Sequence, residues 1–288
     1  MAFLLLLGMT IKEAFEQTKA ALQAQMEDRE AENVMRILFE DAFDWTSGQP
    51  ARSFLAKEQD QLSAILERLQ ANEPLQYILG EADFYGLKFE VTPAVLIPRP
   101  ETEELVFQIL EAGKNKEGQK GLDIGTGSGC IPISLKKNRP DWSLTGMDIS
   151  EEALQVARRN ALKNQVEVNW IVQDVLDEEA WDKLGRYDFI VSNPPYIPLE
   201  EKKVMPRQVL DYEPALALFV ENDNALVFYR KIHDLAIRSL STGGSLFFEL
   251  NEFNARAVQA MVDLRFFTEA VLLPDMQGKY RMLYCQKR

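Results

Sequence analysis

Leu122-Asp123-Ile124-Gly125-Thr126-Gly127-Ser128-Gly129 reads as the end of a buried strand that turns sharply into a helix. Glycine at alternate positions lets the backbone turn tightly and lets a ligand approach without Cβ interference, and the free N–H groups at the helix start favour an anionic group. The spacing is G-x-G-x-G, not the G-x-G-x-x-G of dinucleotide sites, which argues against a nicotinamide cofactor. The next strand, Leu144-Thr145-Gly146-Met147-Asp148, ends on a carboxylate, placed where one such group accepts from both hydroxyls of a ribose. Loop and acid together suit S-adenosyl-L-methionine, its carboxylate at Gly125 to Gly129 and its ribose at Asp148, with S-adenosyl-L-homocysteine as the product. Taken alone, the loop also reads as a tight turn beside a surface Asp. After the third strand, Gln173-Asp174-Val175 would lie beside the adenine, although an Asp in that place is also a common turn former.

Outward from the loop, helix and strand alternate. Apolar runs at 120–124, 143–148, 167–172, 187–192 and 244–250 are separated by helical stretches such as 151–162 and 226–240. That alternation predicts a parallel sheet with helices on both faces, and the segments 266–273 and 281–285 predict a closing antiparallel pair. Upstream, residues 76–97 are rich in Tyr, Phe, Ile, Leu and Val and are punctuated by Gly80 and Gly86, which reads as a β-hairpin linker. The first 75 residues read as helices only. Thr10-Ile11-Lys12-Glu13 has the form of a capping box. Apolar stripes follow at Ile11, Phe15, Thr18, Leu22, then at Ala31, Val34, Met35, Leu38, Ala42, Trp45, and then at Leu62, Ile65, Leu66, Leu69. Ser47-Gly48-Gln49-Pro50 breaks the second stripe from the third. The expected organisation is therefore a helical domain over 1–75, a hairpin linker over 76–97 and an α/β domain over 98–288.

A second motif follows the fourth strand, where Asp188-Phe189-Ile190-Val191-Ser192 runs directly into Asn193-Pro194-Pro195-Tyr196. Ligands bind at the carboxyl ends of strands in such sheets. Two consecutive prolines fix the backbone and remove two N–H donors, so the corner presents acceptors only. The Asn193 side-chain oxygen and the Pro194 carbonyl can both accept from one –NH2 group, and Tyr196 offers a flat face for a planar group. An amide nitrogen is a poor nucleophile because its lone pair is delocalised. Two acceptors align it for in-line transfer and stabilise the positive charge that develops on it. No strong base is required, since the proton leaves readily once the nitrogen is cationic. Asn193, Pro194 and Tyr196 are the candidate catalytic residues; Asn193 to Tyr196 are the candidate substrate-binding residues. Asp123, Gly125, Thr126, Gly127, Ser128, Gly129, Asp148, Asp174, Val175 and Asn193 are the candidate cofactor-binding residues.

Composition narrows the class. The chain has 288 residues, 46% of them hydrophobic, with 15 Gly and 13 Pro, which excludes a disordered or collagenous chain. Its 32 basic against 45 acidic residues give a net charge of −13, the wrong sign for a protein that holds duplex DNA by neutralising phosphates. His233 is the single histidine, so a His-rich metal centre is excluded, and no metal is expected. Cys130 and Cys285 are too few for a disulfide framework and fit a reducing cytoplasm. The apolar run 3–7 is shorter than a signal-peptide core and lacks a basic flank, so it reads as an apolar start docking on the first helix. Nothing approaches the ~20 apolar residues of a membrane span.

These residues resemble the release-factor glutamine methyltransferases from about Pro74 to the C-terminus. The similarity includes Pro74-Leu75-Gln76-Tyr77-Ile78-Leu79-Gly80, Phe84-Tyr85-Gly86-Leu87-Lys88-Phe89, Val95-Leu96-Ile97-Pro98-Arg99-Pro100-Glu101-Thr102-Glu103, the glycine loop, and Asn193-Pro194-Pro195-Tyr196-Ile197. Leu210-Asp211-Tyr212-Glu213-Pro214 and Phe228-Tyr229 extend it. The resemblance implies a Rossmann-like class I methyltransferase domain with a seven-stranded, mostly parallel sheet. It implies N5-methylation of the glutamine side chain in the Gly-Gly-Gln tip of class 1 peptide chain release factors, gripped by the helical N-terminal domain. It also implies that Arg99 and Thr102 help close the cofactor pocket. Two segments depart from the family pattern: Phe219-Val220-Glu221-Asn222, where glycines are common, and Glu249-Leu250-Asn251, where Glu-Ile-Gly is usual.

A DNA adenine-N6 methyltransferase is the nearest rival, since Asn-Pro-Pro-Tyr suits an exocyclic amine equally well and a flipped base would stack on Tyr196. Charge discriminates: residues 1–75 carry 7 Lys and Arg against 13 Asp and Glu, and neither part of the chain offers a basic face. A non-catalytic S-adenosylmethionine-binding scaffold is the rival from another class, disfavoured by the intact loop, Asp148 and Asn-Pro-Pro-Tyr. A nicotinamide dehydrogenase is disfavoured by the glycine spacing. No direct nucleic-acid partner and no membrane are expected.

Overall fold

Thr10 opens the first helix with the reciprocal cap its spacing predicts. Its N–H donates to Glu13 Oε2 at 2.8 Å, and the Glu13 N–H donates to Thr10 Oγ1 at 3.3 Å. The computed structural model describes residues 8–24, 26–221 and 224–288, so the run 3–7 lies outside the described residues. The described chain divides into two compact units between Gly80 and Glu81.

The first unit contains α1 (Ile11–Gln23), α2 (Asp28–Phe43), α3 (Ala56–Gln70) and α4 (Leu75–Leu79). Ile11, Phe15, Thr18 and Leu22 are buried on one face of α1. They meet an aromatic cluster in which the Phe15 and Phe39 rings cross edge-on at 5.1 Å. Trp45 joins that core from a different position than the helical stripe implied. α2 stops at Phe43 because Asp44 adopts a left-handed conformation (φ 49°), and the Trp45 N–H returns to the Phe39 carbonyl at 3.1 Å. The unit also ends later than residue 75. Leu75 is buried in the helical core, and Gly80, at φ 73°, closes α4 with its N–H on the Gln76 carbonyl.

The expected linker over 76–97 is therefore three things: the end of the helical unit, a hairpin that belongs to the second unit, and an irregular stretch. The hairpin pairs β1 (Glu81–Phe84) with β2 (Leu87–Glu90), antiparallel and with Glu81 opposite Glu90. Tyr85 and Gly86 turn it with φ of 49° and 73°, the sign that a two-residue hairpin turn of this hand requires. Phe84 and Phe89 are buried against Leu105 and Val106 of α5 (Pro100–Ala112), which ties the hairpin to the α/β unit.

The sheet of that unit is built from β3 (Lys120–Ile124), β4 (Ser143–Asp148), β5 (Asn169–Val172), β6 (Tyr187–Ser192), β9 (Leu240–Glu249), β10 (Val271–Pro274) and β11 (Tyr280–Gln286). Two short strands, β7 (Ile197–Pro198) and β8 (Phe219–Val220), pair separately and in parallel. The seven strands lie in the order β10-β11-β9-β6-β3-β4-β5, all parallel except β11, which is antiparallel to both its neighbours. This is the expected seven-stranded α/β architecture with its closing antiparallel pair. Alternate residues feed two cores. Ile190, Leu246 and Phe248 pack with Ile232 and Leu235 of the helix Val227–Ser239, while Phe189, Val191 and Phe247 pack with Ile131 and Ile133 of α6 (Cys130–Asn138). Strands covered on both faces in this way are apolar throughout their length.

Strand order reverses between β3 and β6, and a crevice opens at the carboxyl ends of strands where that happens. The glycine loop leaves β3 and the Asn-Pro-Pro-Tyr corner leaves β6. Register places Ile124 beside Ser192, so the two motifs emerge side by side.

Candidate active site at the strand switch point

The glycine loop needs its glycines for two different reasons. Gly125, Gly127 and Gly129 all have positive φ, at 73°, 53° and 77°. A Cβ on Gly129 would come within 2.9 Å of the Trp170 ring and 3.1 Å of the Ala157 Cβ, so protein fills that side. A Cβ on Gly125 or Gly127 would meet no protein atom within 4 Å, which leaves open space over those two residues. The loop is pinned to β4: the N–H groups of Gly125 and Thr126 donate to the Met147 carbonyl at 2.8 and 3.0 Å.

Asp148, at the end of β4, accepts from the Gly127 N–H at 2.9 Å on one oxygen and from the Ser150 N–H at 2.9 Å on the other. Each carboxylate oxygen keeps a lone pair for a ligand hydroxyl. Burial pushes the Asp148 pKa up, and those backbone donors pull it back. Asp123 lies deeper and is 2% exposed. Among the described residues, neither of its carboxylate oxygens has a hydrogen-bond donor at good geometry, and the buried Thr126 hydroxyl is likewise unpaired. Burial pushes Asp123 up to about 7; the nearby Thr126 hydroxyl draws it down, and the Asp148 charge adds to the rise. A buried acid and a half-buried one, both with spare acceptors beside open space, fit a cationic amino group and a ribose, and the loop glycines fit a group that lies against backbone. The donor set thus suits a cofactor that joins an amino acid to a nucleoside.

A cleft of about 420 Å3 is lined by Ile149, Ile171, Gln173, Asp174 and Leu184 among others. Gln173 Nε2 is a buried donor without a partner among the described residues. Asp174 spends one oxygen on the Leu176 N–H at 2.8 Å, a turn-forming bond. The Val175 side chain is in the core, and its carbonyl accepts from the Trp181 indole at 3.0 Å, so only its backbone is left to meet a ligand. Ser128 is buried and offers its carbonyl to Asn160 Nδ2 at 3.0 Å.

The second motif is locked to the first by one bond: Ser192 Oγ donates to the Ile124 carbonyl at 2.7 Å. A pocket of about 140 Å3 is lined by Asn193, Pro194, Tyr196, Arg99, Leu218 and Glu249 among others, while Pro195 is half-buried beside it. Asn193 Nδ2 donates to Thr102 Oγ1 at 3.3 Å, and the Thr102 hydroxyl donates to Glu249 Oε2 at 2.6 Å. Burial raises Glu249 to about 7 against the pull of the Thr102 hydroxyl. Burial also pushes the Tyr196 hydroxyl up to about 12, which keeps it protonated.

Several of these residues escaped the sequence reading or enter differently. Thr102, expected at the cofactor pocket, stands between Asn193 and Glu249. Arg99 pairs with Glu213 at 2.6 and 2.8 Å. Glu249 was legible only as part of a departure, although an acid ending the buried strand 244–249 repeats the signal of Asp148. In the same segment Asn251 has no positive φ and caps its own turn through the Phe253 N–H at 3.0 Å, so glycine is not needed there. In the other departure Phe219 and Val220 form β8 and Lys202 lies over the Phe219 ring at 4.4 Å; Asn222 lies outside the described residues. Asn160 of α7 (Glu151–Lys163) was missed altogether. It joins the hairpin to the loop through the Glu90 N–H at 2.6 Å, the Glu90 carbonyl at 3.0 Å and the Ser128 carbonyl at 3.0 Å. Among the described residues, no group of three or more His, Cys, Asp or Glu can hold a metal ion, and no helix is long and apolar enough to cross a membrane.

Comparison with known proteins agrees with this geometry. The family model for the methyltransferase small domain matches residues 102–211, and the model for the PrmC N-terminal domain matches residues 13–80, ending at the boundary between the two units. The chain is 45% identical over 226 residues to the release factor glutamine methyltransferase of Flavobacterium psychrophilum, covering 77% of this chain and 79% of that protein. It is 46% identical over 228 residues to that of Bacteroides thetaiotaomicron, covering 79% and 81%. It is 47% identical over 223 residues to that of Lactococcus lactis subsp. lactis, covering 77% and 80%. Among solved structures, the hMettl16 catalytic domain in complex with the MAT2A 3′UTR hairpin 6 shares the fold at 15% identity, with a TM-score of 0.55, 84% of this chain and 85% of that one covered. At 37–47% identity over most of their length to these and further relatives of the same name, this chain belongs to the release factor glutamine methyltransferases.

Proposed function

We propose that this enzyme uses S-adenosyl-L-methionine to methylate the side-chain amide nitrogen of the glutamine in the Gly-Gly-Gln tip of class 1 peptide chain release factors, in the cytoplasm, releasing S-adenosyl-L-homocysteine. The observation that carries the reading is the acceptor-only corner Asn193-Pro194 standing beside the open glycine loop, with Ser192 bonded to Ile124 between them. Bound S-adenosylmethionine supplies an electrophilic methyl group on a sulfonium. Gly125, Thr126, Gly127, Ser128 and Gly129 receive its amino-acid end, with Asp123 and the Thr126 hydroxyl as acceptors for its ammonium. Asp148 takes the ribose, and Asp174 with the Val175 backbone flanks the adenine.

On the substrate side, Asn193 Oδ1 and the Pro194 carbonyl accept the two amide protons of the glutamine, and Pro195 and Tyr196 form the walls that hold its plane. The two acceptors draw density toward nitrogen and stabilise its developing positive charge. Where ionised, the carboxylates of Asp123, Asp148 and Glu249 give the site a negative potential, which favours a cationic donor over its neutral product. No side chain is asked to act as a strong base. The first unit is the part that grips the release factor, its acidic surface meeting a partner that approaches ribosomal RNA. Purified enzyme, release factor and radiolabelled cofactor test the reading: label should enter the release factor, whereas label only in added DNA or in no acceptor would reject it.

A further inference from the structure

Asn193 can serve as an acceptor only if its amide is turned the right way. The two ends of that amide are nearly equal in size, so packing alone does not choose between them. Hydrogen bonding does. Asn193 Nδ2 lies 3.3 Å from Thr102 Oγ1, and Thr102 Oγ1 lies 2.6 Å from Glu249 Oε2. Thr102 and Glu249 are buried, at 3% and 4% exposed, and come from the first turn of α5 and the last residue of β9. Once ionised, the Glu249 carboxylate only accepts, and the Thr102 hydroxyl then gives its proton to Glu249. The Thr102 oxygen is then left as an acceptor, and what faces it must be a donor. The Asn193 –NH2 is therefore held inward, and Oδ1 is the end left for the substrate. Glu249 is in turn anchored by its own carbonyl, which accepts from the Tyr229 hydroxyl at 3.0 Å.

We propose that Thr102 and Glu249 are positioning residues that fix the Asn193 amide with its oxygen toward the substrate nitrogen, so that a polar relay in the second rank of the pocket sets the acceptor character of the first. The inference rests on the function proposed above and assigns Thr102 to the substrate side of the site. It also explains a choice of substrate: a corner held as acceptor receives an –NH2 group and turns away a carboxylate of the same shape.

The test uses the full chain and an intact release factor. Thr102→Val keeps the shape and removes the hydroxyl; Thr102→Ser keeps the hydroxyl; Thr102→Ala replaces the valine variant should that one not fold. The expected result is a fall in kcat of about tenfold for Thr102→Val, the scale of one lost neutral hydrogen bond, with KM for the release factor and Kd for S-adenosylmethionine within about twofold. Thr102→Ser should return kcat to within about threefold of wild type. A Thr102→Val enzyme with wild-type kcat overturns the inference, as does a loss that tracks cofactor affinity or one that serine does not rescue. A second measurement reads the relay without turnover: in NMR, one Asn193 side-chain amide proton should exchange slowly with water in the wild type and in Thr102→Ser and quickly in Thr102→Val. Equal exchange in all three rejects the relay. An inactive wild type with this exchange pattern intact would reject the proposed substrate and leave the relay standing.

Discussion

Gly125 and Gly129 sit four residues apart in one loop, both with positive φ, yet substitution by alanine should fail in different ways. An alanine in the left-handed region costs about 1–2 kcal/mol at either position. At Gly125 the added methyl enters open space, so that strain is the whole stability cost. The transition of the α/β unit should fall by roughly 2–8 °C, at ~2–4 °C per kcal/mol for a unit of this size. At Gly129 the methyl would press on the Trp170 ring at 2.9 Å, Ile133 Cδ1 at 3.0 Å and Ala157 Cβ at 3.1 Å. Overpacking of that kind adds about 1–3 kcal/mol, for a total near 2–5 kcal/mol. Binding should rank the other way relative to stability. The proposed function puts the cofactor's amino-acid end in the open space over Gly125, so on that reading Gly125→Ala should fold and lose roughly 10- to 100-fold in S-adenosylmethionine affinity, about 1.4–2.8 kcal/mol. Urea unfolding and titration calorimetry on both variants check this. Gly125→Ala with wild-type affinity would show that the space over the loop is not the cofactor site, and equal stability of the two variants would refute the packing argument at Gly129.

Three further outcomes follow from the site. Asp148→Ala removes a charged acceptor and the tether on the Gly127 N–H, and calorimetry should show S-adenosylmethionine binding weakened by roughly 1.5–3 kcal/mol; unchanged affinity would remove Asp148 from the site. Asn193→Ala should lower turnover by about 10²–10³ with little change in cofactor affinity, since the lost interaction strengthens as charge develops on nitrogen; single-turnover transfer at the wild-type rate would rule out the acceptor role. Asp123 and Glu249 are both raised, from 3.8 and 4.5 to about 7, so each favours folding fully below its unfolded pKa and loses that contribution as pH rises toward 7. The free protein should accordingly lose stability between about pH 4 and 7, by up to about 4 kcal/mol for Asp123 and about 3 kcal/mol for Glu249, and Asp123→Asn should flatten that slope in urea unfolding; an unchanged slope would mean that Asp123 is ionised throughout.

Most of the architecture was legible because it rests on local demands. The G-x-G-x-G turn needs positive φ at Gly125, Gly127 and Gly129, and the alternating apolar runs need cover on both faces. The corner at Asn193 announces itself through its prolines. What was hidden is long-range. The Thr102–Glu249 bond joins residues 147 apart in the chain, and Asn160 reaches Glu90 across 70, with nothing in either neighbourhood to reveal the partner. Two misreadings have the same origin. Trp45 keeps the period of α2 but lies beyond a left-handed Asp44, and the helical domain runs on to Gly80 because Leu75 is held by a core that only the folded chain defines.

The most direct test of the central claim is peptide mapping by mass spectrometry. An unmethylated class 1 release factor, incubated with this enzyme and S-adenosylmethionine, should gain the mass of one methyl group on the peptide that carries Gly-Gly-Gln, with fragmentation placing it on the glutamine side chain. A release factor with that glutamine changed to glutamate should gain nothing. A methyl group on any other residue, or an unmodified release factor after incubation with folded enzyme that binds the cofactor, would contradict the account.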